Sequence, residues 1–166
     1  MEFNDFEKEL EYIFKKNSLL ELLTDERAKK LYELTQIMLE VNKSMNLTAI
    51  TDEKAIIVKH YADSLTVSKY IPQGAKIIDV GCGAGFPCLP LAIFRDDVSI
   101  TALDATAKRI KYVQDTADKL ELKNISAVAA RAEEFAKLPE YRESYDIATA
   151  RAVAALPILS ELCLPF

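Results

Sequence analysis

The residue types and spacing that point most directly to chemistry lie in one segment, Asp79-Val80-Gly81-Cys82-Gly83-Ala84-Gly85-Phe86-Pro87. The chain has only four glycines, and three of them stand here at every second position. Glycine is needed where a backbone takes positive φ or lets a ligand come close. Such a cluster in a glycine-poor chain predicts a turn shaped around a bound molecule. Asp79 precedes the first of the three glycines by two positions, and Asp104 follows Asp79 by 25 residues. An acid at that distance, closing the next strand, can accept hydrogen bonds from ribose hydroxyls. The chemistry predicted is the binding of a nucleotide-like molecule.

These residues need a strand before the turn and a helix after it. Ile77-Ile78-Asp79-Val80 is a short apolar run that leads into the glycines, and Pro87 suits the first turn of a following helix, where its missing N–H is no loss. Val98 to Leu103, Ile125 to Ala130 and Tyr145 to Ala150 are further strand candidates, with β-branched residues among them. Between the second and third lies Ala107 to Leu120, with Ile110, Val113, Ala117 and Leu120 on one helical face. Pro157 to Leu164 is a last helix candidate. Strands alternating with helices predict parallel βαβ units and an α/β fold. In such a sheet the carboxyl end of the first strand is where a nucleotide-like ligand binds.

Residues 1–72 differ in pattern and are predicted to be helical throughout. Phe3, Phe6, Leu10 and Ile13 share one face. Thr24 or Asp25 can cap a second helix, with Leu31, Leu34, Met38 and Val41 as its apolar stripe. Asn42 to Asn46 breaks that stripe. A third helix starts near Asp52, buries Ile57, Tyr61 and Leu65, and ends before the turn Pro72-Gln73-Gly74. The expected organisation is a helical extension over 1–72 and a Rossmann-like domain over 73–166.

Composition narrows the class. Half of the residues are hydrophobic and 28% are charged, a globular balance. The longest apolar run, Leu89 to Phe94, is far short of a membrane span. The acidic N-terminus lacks the basic start of a signal peptide. A cytoplasmic protein is expected. The net charge of −5 counts against sequence-blind nucleic-acid binding, whose affinity comes mainly from phosphate neutralisation.

The spacing Asp-x-Gly-x-Gly-x-Gly differs from the dinucleotide fingerprint Gly-x-Gly-x-x-Gly. It resembles the first motif of the S-adenosylmethionine methyltransferases, in which the glycine turn takes the methionine part and the acid after strand two takes the ribose. Further segments sharpen the likeness: Asn46-Leu47-Thr48-Ala49-Ile50, His60-Tyr61-Ala62-Asp63-Ser64-Leu65, Leu103-Asp104 with Lys108-Arg109, Arg131-Ala132-Glu133, and Asp146 to Ala154 with Arg151-Ala152-Val153-Ala154. In this order, from about residue 30 onward, the chain resembles the ribosomal RNA small-subunit methyltransferase G family, also called the glucose-inhibited division protein B family.

The resemblance implies a seven-stranded class I S-adenosylmethionine methyltransferase fold with an N-terminal helical extension. It implies methyl transfer to guanine N7 of 16S ribosomal RNA, with S-adenosylmethionine as cofactor and no metal. Family members run on through three more strands, so the sheet is expected to be incomplete at its C-terminal side. The implied cofactor residues are Gly81 and Phe86, Ala132 and Glu133, and Arg151, beside the Asp79, Gly83, Gly85 and Asp104 already singled out. Members usually carry glycine at position 88 and a small residue at 82, where this chain has Cys88 and Cys82. The acidic balance favours an assembled or partly assembled small-subunit particle over naked RNA. The alternatives are a methyltransferase with another substrate, an NAD-dependent oxidoreductase, and a shortened module that binds cofactor or ribosome without catalysis.

No general base is expected, because guanine N7 carries a free lone pair at neutral pH. His60, the only histidine, stands with Asp63 and Ser64 within five residues, too close in sequence for a hydrolase triad, and no Gly-x-Ser-x-Gly elbow exists. It is read as structural or RNA-facing. Cys82, Cys88 and Cys163 are odd in number and lack a Cys-x-x-Cys spacing, so they are read as free thiols rather than as a disulfide or zinc set. Lys108, Arg109 and Lys111 are either a solvated helix face or a phosphate contact. Arg131 and Arg142 carry the same two readings.

Overall fold

The computed structural model describes residues 1–166. The N-terminal third is helical, as its apolar periods predict. Helix α1 (Phe3–Lys16) buries Phe6, Leu10, Ile13 and Phe14 on one face. Helix α2 (Asp25–Met45) is capped by Thr24, whose hydroxyl accepts from the Arg27 N–H, and it buries Leu31, Leu34 and Met38. It runs through the expected break at Asn42 and stops at Asn46, which takes the left-handed conformation that ends a helix.

The third helical stretch, α3, covers 53–65. Asp52 caps it by accepting from the Ala55 N–H at 2.9 Å. Its centre, Ile57–Ala62, is wound as a π-helix between α-helical turns at Glu53–Ile56 and Asp63–Leu65. The wider winding is one that apolar periodicity cannot announce, and π-bulges of this kind gather at functional sites.

Four strands follow: β1 (Lys76–Val80), β2 (Ser99–Asp104), β3 (Ile125–Ala129) and β4 (Ile147–Thr149). They form one parallel sheet in the order β3-β2-β1-β4. Helices α4 (Cys88–Phe94), α5 (Ala107–Lys119), α6 (Ala132–Phe135) and α7 (Leu156–Cys163) follow them in turn. Pro87 sits one residue before α4, at its cap, instead of within its first turn. Strand β4 is shorter than the apolar run that announces it. The order reverses at β1, where β2 lies on one side and β4 on the other. That reversal opens the crevice in which such sheets bind ligands.

Strand alternation sends neighbouring side chains to opposite faces. Ile77, Ile100 and Ala102 join a large core with α1, α2 and α3, whereas Ile78, Val80 and Leu103 join a smaller one with Phe135 and Phe166. The large core runs from Phe6 to Ile125 and crosses residue 72 without a seam. Arg95 ties the two parts together. Its guanidinium donates to the carbonyls of Ser68, Ile71 and Pro72 and pairs with Asp97 at 2.6 Å. That pairing holds the Asp97 carboxyl well below its ordinary range. Arg95→Ala leaves these carbonyls without their charged donor and is expected to cost about 3 kcal/mol of stability. Urea unfolding measures it, and a loss under 1 kcal/mol sinks the account.

Candidate functional site

The glycine turn leaves β1 directly. Gly81 and Cys82 both donate their N–H groups to the Leu103 carbonyl, which bolts the turn to the end of β2. Gly81, Gly83 and Gly85 all have positive φ, at 71°, 54° and 86°. They do different work. A Cβ on Gly81 would lie 2.6 Å from the Val153 side chain, whereas one on Gly83 would meet only a backbone oxygen at 3.8 Å. Gly85 faces its own helix, because a Cβ there would lie 2.3 Å from Leu89 Cδ1 and 2.9 Å from Leu89 Cγ. Gly85→Ala therefore combines left-handed strain with overpacking and is expected to cost about 3 kcal/mol. Gly74→Ala has the same sign of φ in open space and should cost about 1 kcal/mol. Equal losses in thermal unfolding would show that the Leu89 contact does not matter.

Two adjoining cavities lie at the carboxyl ends of the strands. The larger, about 320 Å³, is lined by Gly81, Leu103, Asp104, Ala132 and Glu133 among others. The smaller, about 210 Å³, is lined by Thr48, His60, Gly83, Phe86 and Arg151 among others. Gly81, Arg109 and Ala152 line both. Ala152 holds a φ of 55° without being glycine, a strained conformation of the kind that clusters at ligand sites.

Asp104 is buried, and its carboxylate holds the turn from below. One oxygen accepts from the Gly83 N–H at 3.0 Å and the other from the Thr106 N–H at 2.8 Å. Each oxygen keeps a lone pair for a further donor. Glu133 is exposed beside Ala132, at the start of the short α6. Arg109 reaches the mouth of both cavities, 3.9 Å from Asp104, so the basic cluster divides. Lys111 pairs instead with Asp115 on the outer face of α5.

Asp79 and Gly85 line neither cavity. Asp79 is fully buried under the turn, where it accepts from the Cys88 N–H at 3.2 Å and the Thr149 hydroxyl at 3.0 Å. Burial pushes its carboxyl up to about 6, with those hydrogen bonds pulling the other way. Cys88 opens α4 fully buried beside it, and burial raises its thiol well above the ordinary value.

Arg151 follows β4 and reaches back to α3. It donates to the Lys59 carbonyl at 2.9 Å and to His60 Nδ1 at 2.9 Å, and pairs with Asp63 at 3.3 Å. Its guanidinium lies over the Phe86 ring, 5.3 Å from the centroid. His60 stacks on Phe86 with centroids 4.3 Å apart and planes 7° from parallel. His60 is thus buried inside the site rather than turned outward. Burial, then the Arg151 charge, push it down to about 4, so it is neutral at pH 7. Residue types alone do not place His60 and Thr48 in the site. The only sequence signal for them was their place in segments shared with the family.

A parallel sheet whose order reverses beside a glycine turn, with an acid closing the next strand, is the arrangement of the class I methyltransferase fold. Solved structures agree in fold. A Plasmodium falciparum chain described as a protein-L-isoaspartate O-methyltransferase, in complex with S-adenosyl-L-homocysteine, superposes with a TM-score of 0.58 at 14% identity, covering 95% of this chain and 79% of its own. Another protein-L-isoaspartate O-methyltransferase gives 0.57 at 14% identity, over 87% and 47%. A sequence model of rRNA small subunit methyltransferase G matches residues 27–166, and the chain belongs to that family. Ribosomal RNA small subunit methyltransferase G of Leuconostoc citreum is 47% identical over 148 residues, 87% of this chain and 62% of the relative. That of Acetivibrio thermocellus is 46% identical over 145 residues, 87% and 60%. The chain spans about three fifths of the length of these curated relatives. No helix is long and apolar enough to cross a membrane.

Proposed function

We propose that this chain carries the S-adenosylmethionine site of an enzyme that methylates guanine N7 in 16S ribosomal RNA. The observation that carries this reading is the pair of adjoining cavities that share Gly81, Arg109 and Ala152. The larger suits a nucleoside, with apolar walls from Leu103 and Ala132, the Asp104 carboxylate for ribose hydroxyls, and Glu133 at its rim for the base edge. The smaller suits an amino-acid end, with glycine backbone for a floor, two guanidinium groups and no acidic side chain in its lining. The residues present fit the cofactor. The family assignment supports the same reading.

When bound, S-adenosylmethionine supplies an electrophilic methyl group on a sulfonium. The guanine N7 lone pair lies in the ring plane and is unprotonated at neutral pH. Transfer would form an N7–carbon bond in place of the sulfur–carbon bond and leave the positive charge on the purine, so no residue of the chain would have to remove a proton. The chain's own work is to position and to exclude water. The side chains agree with that. His60 has both ring nitrogens engaged and Asp79 is buried under the turn, so neither is free to take a proton at the cavity. The guanine must be unpaired, or have its major-groove edge open, to reach the methyl. The net charge of −5 favours a small-subunit particle in the cytoplasm, where ribosomal protein already covers part of the RNA, over naked RNA.

Calorimetry with S-adenosylhomocysteine, and with NAD as control, tests the cofactor assignment. Saturable binding of the first and none of the second is expected. Binding of NAD, or no binding of S-adenosylhomocysteine to the folded chain, overturns it. Nucleoside mass spectrometry for 7-methylguanosine in small-subunit particles and in naked 16S RNA, using the protein at its relatives' full length, tests the substrate.

A further inference from the structure

Two segments shared with the family, Asn46-Leu47-Thr48 and His60 to Ser64, supply none of the cofactor contacts carried over from it. In space they meet at the smaller cavity. Asn42 holds Thr48 at both ends of its backbone unit, accepting from its N–H at 2.9 Å and donating to its carbonyl at 3.0 Å. Thr48 Oγ1 then lies 3.1 Å from His60 Nε2 and accepts from the Ile50 N–H at 3.1 Å.

The direction of every hydrogen bond in this chain follows from its first member. A guanidinium can only donate, so Arg151 makes His60 Nδ1 an acceptor. A neutral imidazole carries one proton, which must then sit on Nε2 and point at Thr48 Oγ1. That oxygen already accepts from Ile50, so both of its lone pairs are used. The Thr48 hydroxyl proton is left to point elsewhere, and Thr48 lines the cavity. Ala84 also lines the cavity, and its N–H makes no hydrogen bond within the chain. Arg109 and Arg151 flank the same space, and no carboxylate lines it. A cavity walled by donors and cations suits an anionic group, and a carboxylate is the anion that an amino-acid end presents.

We propose that His60, held as the Nε2–H tautomer between Arg151 and Thr48, is a positioning residue that aims the Arg151 guanidinium and the Thr48 hydroxyl at the carboxylate of the cofactor's amino-acid end. His60 touches no reacting atom. Its ring lies flat on Phe86 and its two nitrogens set the orientation of a donor on either side. The π-helical winding of α3 carries His60 and Lys59, whose carbonyl takes another Arg151 N–H, so one stretch of helix supplies two of the holds on the guanidinium. The proposal rests on the cofactor reading above.

Because His60 is the only histidine, nitrogen-resolved NMR reports on it without assignment ambiguity. The wild-type imidazole is expected as a single Nε2–H tautomer, both free and with S-adenosylhomocysteine bound. Calorimetry should show Thr48→Val binding S-adenosylhomocysteine about tenfold more weakly, the loss of one donor to a charged group, with Thr48→Ser within about twofold of wild type. His60→Asn, which can still accept from Arg151 but no longer reaches Thr48, should fall with Thr48→Val. An Nδ1–H tautomer or an exchanging mixture in the wild type overturns the proposal even if Thr48→Val fails to fold. So does Thr48→Val binding as tightly as wild type. No binding by the wild-type chain overturns the cofactor reading and this proposal together, whereas wild-type binding with indifferent variants overturns this proposal alone.

Discussion

Asp104→Ala is expected to lose about 100-fold in affinity for S-adenosylhomocysteine, the largest effect of any single side chain in the site. Two terms add. On the proposed reading the carboxylate accepts from ribose hydroxyls, and a hydrogen bond to a charged acceptor is worth about 1.5–3 kcal/mol. The same two oxygens also hold the Gly83 and Thr106 N–H groups, so their removal frees the turn that forms the floor of the smaller cavity. Asp104→Asn separates the terms. It keeps one acceptor oxygen, can hold one of the two N–H groups, and should lose only about tenfold. Calorimetry gives the affinities, and urea unfolding shows how much of the loss is a loosened turn. Affinity within threefold of wild type in Asp104→Ala would place the ribose elsewhere.

Stability should change little between pH 4.5 and 6.5, and two variants should tilt it in opposite directions. Burial raises Asp79 to about 6 in the folded chain, against an ordinary 3.8. The folded state therefore keeps a proton that the unfolded state has released, and stability falls as pH rises toward 6. Burial and Arg151 lower His60 to about 4, against an ordinary 6.5. Here the unfolded state holds the proton that the folded state has lost, so stability rises over the same window. Each contribution amounts to about 2 kcal/mol between pH 4.5 and 6.5, and they oppose. His60→Asn removes the rising contribution and should leave stability falling by about 2 kcal/mol across the window; Asp79→Asn should leave it rising by a similar amount. The Asp97 carboxyl, held low by Arg95, acts at lower pH and does not intrude. Urea midpoints at four pH values decide the matter, and parallel profiles for wild type and both variants would refute the opposition.

The two variants also bear on mechanism. Asp79 beneath the glycine turn and His60 in the wall of the smaller cavity are each a cost the fold tolerates for what its position does. Asp79 forfeits stability above pH 6, yet it ties the start of α4 to the end of β4 beneath the glycine turn. His60 forfeits it below pH 6.5, yet it lies against Phe86 and engages Arg151.

Local pattern determined much of this protein from the sequence. The stripe of Phe6, Leu10 and Ile13, the cap at Thr24, the helix start near Asp52, the run Ile77 to Val80 and the alternation of strand with helix are each set within a few residues, and each stands in the structure near its expected place. The glycine turn was legible for the same reason, since backbone conformation is a property of the residue that adopts it. Tertiary structure alone decided which neighbours meet. The strand order, the aim of Asp79 under the turn, and the stacking of His60 on Phe86 join residues that no local period links. Arg151 reaches Lys59 across 92 positions and Thr149 reaches Asp79 across 70. The π-helical turn of α3 is of the same kind, because its widened winding makes no repeat that six residues could show. Side-chain chemistry could be read one residue at a time, but the direction of a proton on His60 depends on partners from two other segments, and only the folded chain brings them together.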